Sequence, residues 1–85
     1  ATVGKTKFRE AITGFTEIAQ KYPKTESAIG ALSNMGVCYE SLGEWKKAVE
    51  VYDQVLGRFS EEEGKREEAY RFAQMHKDWI VSSHL

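Results

Sequence analysis

Apolar side chains along this chain recur with the spacing of one helix face. Phe8, Ala11, Ile12, Phe15, Ile18, Ala19 and Tyr22 follow i, i+3, i+4, i+7, i+10, i+11 and i+14, which is a stripe on an α-helix and not the alternation of a strand. The same seven positions return as Trp45, Ala48, Val49, Tyr52, Val55, Leu56 and Phe59, at a constant offset of 37 residues. Self-similarity at such a period marks stacked helical units. Each unit cannot bury its apolar face alone and folds by leaning on its neighbours.

The punctuation between stripes predicts about four helices. The first spans 5–22 and stops at Pro23, because the residue before a proline is pushed out of the helical region. Thr25 can cap a second helix by accepting from its free amides. That helix carries Ala28, Ala31, Leu32, Met35, Cys38, Tyr39 and Leu42 on its apolar side and ends at Gly43, which adopts the left-handed conformation without a Cβ penalty. A third helix, from about Glu44 to Phe59, repeats the first. Ser60 and Glu63 have the spacing of a capping box. They introduce a fourth helix over 61–82 with Ala69, Phe72, Ala73, His76, Trp79 and Ile80 on its stripe. Turns this short leave antiparallel neighbours as the arrangement. The chain therefore reads as one domain over 1–85: the second helix of one repeat at 5–22, a full repeat at 26–59, and a divergent C-terminal helix at 61–82.

The middle of the chain resembles a tetratricopeptide repeat. Leu32-x-x-Met35-Gly36-x-x-Tyr39 fills the first half of that family's pattern, and Ala48-x-x-x-Tyr52 fills the second. Ser60 stands where the family carries proline. Ala11-x-x-x-Phe15 followed by Pro23 matches the second half of an earlier repeat. Small residues fall where two helices cross, and aromatics fill the gaps beside them. The period exceeds the family's usual ~34 residues. A Tyr22-Pro23 end with a lengthened turn around Lys24 to Ser27 is similar to repeats of bacterial cell-envelope proteins, such as the Tol–Pal coordinator and outer-membrane assembly lipoproteins. The fold this resemblance implies is all-α, built of antiparallel helix-turn-helix repeats in a right-handed superhelix.

The resemblance also implies where a partner would bind. In this family the first helix of each repeat lines a concave groove. By register, Gly30, Ser33, Asn34, Val37, Glu40 and Ser41 face that groove, and Glu67, Tyr70, Arg71 and Gln74 face it from the last helix. The expected partner-binding set is Ser33, Asn34, Val37, Glu40, Tyr70, Arg71 and Gln74. Asn34 and Arg71 resemble two members of the clamp by which chaperone-binding relatives hold a peptide's terminal carboxylate, and such groups can fix a carboxylate by oriented hydrogen bonds. The clamp's lysine position is here Glu67, which repels a carboxylate. Trp79 and Ile80 keep the last helix apolar to its end, where a terminal repeat is expected to be polar. They either fold back onto the third helix or meet another chain.

Other constellations carry no chemistry. Gly4-Lys5-Thr6 lacks the earlier glycine and the preceding strand of a phosphate loop. His76 and His84 would lie about 12 Å apart along a continuous helix, too far to share an ion, and no second ligand cluster completes a metal site. His76 reads as half-buried on the apolar stripe and His84 as solvated in a frayed tail. Cys38, beside Tyr39 on its stripe, reads as a small buried hydrophobe, and a lone cysteine leaves the redox compartment open.

Composition narrows the function further. The 85 residues are 41% hydrophobic and 29% charged, with a net charge of −1. That balance suits a folded domain and offers no basic stripe for nucleic acid. No apolar run is long enough to span a membrane, and Ala1 to Thr6 hold no signal-peptide core. The start at Ala1 reads as a processed or excised piece, and the compartment stays open between cytoplasm and bacterial periplasm or envelope. The expectation is a non-enzymatic module without cofactors or metal that recognises a protein or peptide partner in its groove. The alternative is an assembly subunit that forms a homo-oligomer through its apolar terminal helices.

Overall fold

The computed structural model describes residues 2–85; Ala1 of the expected 1–85 domain lies outside them. Among the described residues five helices follow one another: α1 (Thr2–Lys21), α2 (Glu26–Leu42), α3 (Trp45–Leu56), α4 (Glu61–Gly64) and α5 (Glu68–Ser83). The fold is all-helical and tetratricopeptide-like, with no strand among the described residues. Each long helix packs on the next, α1 on α2, α2 on α3 and α3 on α5, while α2 and α5 meet only in passing. The result is a slab of 42 × 33 × 16 Å.

Local chemistry sets the joints. Thr25 accepts from the Ala28 amide at 3.2 Å and donates to the Tyr22 carbonyl at 2.7 Å, tying the end of α1 to the start of α2. Gly43, at φ 72°, closes α2. Its amide donates to Glu40 and that of Glu44 to Tyr39, at 3.0 and 2.9 Å, the paired bonds of a Schellman turn. Ser60 and Glu63 form the expected capping box at the start of α4.

The core runs through α2, α3 and α5 and includes Leu32, Met35, Ala48, Val51, Tyr52, Val55, Ala73 and Ile80, with Ile12, Phe15 and Ala19 of α1 packed against its edge. The crossing of α2 and α3 rests on Gly36, which lies directly under the Tyr52 ring. Any Cβ there would collide with the ring.

Three expectations change at the C-terminal end. The helix expected over 61–82 is broken at Lys65–Glu67 into α4 and α5. A Cβ on Gly64 would stand 2.5 Å from the Tyr70 ring, so the bare glycine backbone lets the chain turn tightly under that side chain. Ile80 folds back and is fully buried against the core, which removes it as a surface for self-association. His84 is not a frayed end: its imidazole stacks on Trp45 at 3.7 Å between ring centres and 11° between planes. Trp79 meets both rings edge-on. This cluster fastens the end of α5 to the start of α3.

Gly36→Ala should destabilise the fold by about 1–3 kcal/mol, the usual penalty for overfilling a packed site. Gly30→Ala on the same helix meets open space and should be neutral or gain up to about 1 kcal/mol from helix propensity. Urea unfolding of both variants checks the contrast. Equal stabilities would mean that the crossing is looser than the geometry indicates.

Candidate functional site

α2 and α5 stand side by side with α3 behind them, and an open cleft of about 520 Å³ lies between them. From α2 it is lined by Glu26, Ile29, Gly30, Ser33 and Asn34; Phe59 closes one end; Glu67, Glu68, Ala69 and Phe72 form the α5 side. The floor is apolar (Ile29, Phe59, Ala69, Phe72) and the rim carries three carboxylates with no basic side chain in the lining. Gly30, with nothing near its Cβ position, keeps the floor of the cleft open. Ser33 already donates to the Ile29 carbonyl at 3.0 Å, which leaves its oxygen free to accept. Asn34 is exposed at the lip.

The seven groove residues expected from the repeat register do not come together in one place. Ser33 and Asn34 line the cleft. Val37 is exposed one turn further along the same side of α2. Tyr70, Arg71 and Gln74 line a separate cavity of about 470 Å³ on the outer side of α5, with Lys65, Met75 and Asp78. Register selects the same side of both helices, whereas a cleft between successive helices is walled by the leading side of one and the trailing side of the next. Tyr70 and Arg71 stand on α5 where Ser33 and Asn34 stand on α2, and so face outward. Arg71 donates to the Lys65 carbonyl at 2.8 Å and Gln74 to Asp78 at 2.9 Å. Asn34 and Arg71 thus do not meet, and no carboxylate clamp is assembled. Phe59 and Phe72 lie on the expected apolar stripes, and Ile29 beside the α2 stripe, yet all three line the cleft. Their clue in the sequence is the small pair Gly30 and Ala69, which leaves these large side chains partly uncovered.

Glu40 has a different place again. Its Oε2 accepts from the Tyr52 hydroxyl and lies 2.6 Å from His76 Nδ1. Glu40 is on α2, Tyr52 on α3 and His76 on α5, so one carboxylate ties three helices. The His76 ring also stacks on Phe72, 4.0 Å between centres. Tyr52 is fully buried. Burial, and then the Glu40 carboxylate beside it, push its phenol far above its ordinary range; the hydroxyl stays protonated and acts as a donor. A carboxylate–imidazole–hydroxyl trio of this kind can suggest catalysis, but a phenol held protonated in the core is no nucleophile. The trio orients helices. Burial likewise pushes the Cys38 thiol up, away from the reactive thiolate.

Tyr52→Phe removes one donor from Glu40 and should lower stability by about 1.5–3 kcal/mol, the range for hydrogen bonds to charged groups, with helix content retained. The phenol also gives a signed pH effect. Its folded pKa lies above the unfolded value of about 10, so its contribution is complete below that pH and falls away as pH rises beyond it. Urea melts from neutral to strongly alkaline pH should show a steeper loss for the wild type than for Tyr52→Phe. Parallel slopes would refute the buried-donor assignment.

No curated protein and no solved structure matches this chain. One family model does, and the segment it covers holds most of α2, the Gly36–Tyr52 crossing, all of α3 and the capped turn of α4. Residues 31–67 match the tetratricopeptide repeat.

Proposed function

We propose that the chain is a protein-recognition module whose α2–α5 cleft takes a short segment of a partner protein that combines apolar side chains with lysine or arginine. Tetratricopeptide repeats generally mediate protein–protein interaction, and the observation that carries the finer reading is the composition of the cleft. An apolar floor of Ile29, Phe59, Ala69 and Phe72 lies under a rim of Glu26, Glu67 and Glu68. The floor offers area to bury, and burial is worth roughly 25 cal/mol per Å² of apolar surface. The carboxylates favour cations and turn away acidic segments and C-terminal carboxylates. Ser33 and Asn34 supply oriented hydrogen bonds at the lip. The α2 wall from Glu26 to Asn34 is about 12 Å long at 1.5 Å per residue, which fits two turns of helix laid against it.

Fluorescence anisotropy with labelled amphipathic peptides tests this. A peptide with a Leu/Ile face flanked by Lys and Arg should bind, and its affinity should fall as salt rises, because exposed pairs are screened. The same peptide with Glu in place of its basic residues should not bind. Converting Glu67 and Glu68 together to Lys should weaken the basic peptide at least about tenfold, or ~1.4 kcal/mol. Equal binding of the acidic and basic peptides, or undiminished binding by the charge-reversed cleft, would overturn the reading.

A further inference from the structure

We infer, on the cleft reading proposed above, that the α2–α5 cleft tells the two basic side chains apart and takes arginine in preference to lysine. Three features of the cleft point to a flat cation rich in donors. The first is its floor. Phe59 and Phe72 both line the cleft, and each ring is braced from outside the lining. His76 stacks on Phe72 at 4.0 Å between centres and 27° between planes, and Tyr70 meets Phe59 edge-on at 6.3 Å. The surface that each ring leaves to the cleft is the part its brace does not cover. Glu40 in turn holds His76 from α2 at 2.6 Å. The floor therefore offers two aromatic surfaces that are fixed before any partner arrives.

The second feature is an excess of acceptors. Glu26, Glu67 and Glu68 accept hydrogen bonds when ionised and donate none. None of the three pairs with a basic side chain among the described residues. Ser33 has given its hydrogen to the Ile29 carbonyl. Of the lining side chains, Asn34 alone keeps donors of its own. The third feature is the absence of a competing cation on the α5 wall. Lys65 and Arg71 line the outer side of α5, and Arg66 acts on the Glu63 carboxylate.

Arginine answers all three. Its guanidinium is planar, weakly hydrated and carries five donors in a fixed fork, so it lies on an aromatic ring while its edge reaches a carboxylate. Glu68 and Phe72 stand four residues apart on α5, which makes them neighbours on one side of the helix, about 5–6 Å apart at Cβ. A guanidinium stacked on Phe72 thus has the Glu68 carboxylate beside it, with Glu26 on the opposite wall. The lysine ammonium is compact and strongly hydrated. Against the floor it sheds water that the rings do not replace. At the rim it keeps its water and gains only a screened attraction.

Two labelled amphipathic peptides with the same Leu/Ile face test this, one with arginine at every basic position and the other with lysine. Fluorescence anisotropy on the wild-type chain should show the arginine peptide binding at least about fivefold more tightly. Phe72→Leu keeps the floor apolar and removes the ring. With its fold verified by circular dichroism, this variant should bring the two peptides to within about twofold of each other, chiefly by weakening the arginine peptide. The comparison of peptides on the wild type stands without the variant. Equal affinities there, or a preference that Phe72→Leu leaves unchanged, would overturn arginine selection while the cleft reading stands. Failure of both peptides to bind would overturn the cleft reading, and arginine selection with it.

Discussion

Tyr52 is the side chain on which the arrangement of helices depends. Its ring lies directly on Gly36 of α2, its edge meets Phe72 of α5 at 6.1 Å between centres, and its hydroxyl reaches Glu40. One residue of α3 therefore sets the distance to α2, where only glycine permits the approach, and the placement of α5. α2 and α5 barely touch each other. The cleft between them exists because both are held from behind by the same aromatic ring and not by each other. Its width follows from the Tyr52 contacts.

The polar end of that contact adds registry to distance. A carboxylate drawn into a largely covered site needs its oxygen lone pairs met. Glu40 meets them with a phenol from α3 and an imidazole from α5. Such a polar network adds little net stability, because desolvation offsets much of the attraction, but a carboxylate left short of a partner is costly. A slip of α5 by one residue would carry His76 off Glu40 and leave the carboxylate short of a partner. The network thus makes a thin slab of helices, with few long-range contacts to spare, choose one alignment. At the far end the Trp45–His84 stack holds the same two elements, α3 and α5, by dispersion and ring geometry alone.

What was legible in the sequence is what local chemistry decides. The stripes at 8–22 and 45–59, the Thr25 and Ser60 caps and the Gly43 stop each depend on residues within one or two turns; the caps and the stop stand where expected, while α1 already starts at Thr2 and α3 ends at Leu56, because the chain turns at Gly57 short of Phe59. The break at Lys65–Glu67 was not legible, because it needs Tyr70 to close over Gly64, a contact that neither residue announces. The repeat register places Glu40 in the groove. Its true partners come from two other helices, and only the packed structure brings them within reach. His84 was read as solvated from its position near the end of the chain, which says nothing about Trp45 lying opposite. Of the residues the repeat register selects, Ser33 and Asn34 line the cleft, whereas Tyr70, Arg71 and Gln74 line the outer side of α5.

That last discrepancy carries a general point about repeated helices. Equivalent positions on successive units point the same way, so they cannot face each other across the space between units. A cleft between two units must join unlike positions, here Ser33 and Asn34 on one wall and Glu68, Ala69 and Phe72 on the other. The equivalents of the first wall, Tyr70 and Arg71, then line the next space along. Translation alone fixes this alternation.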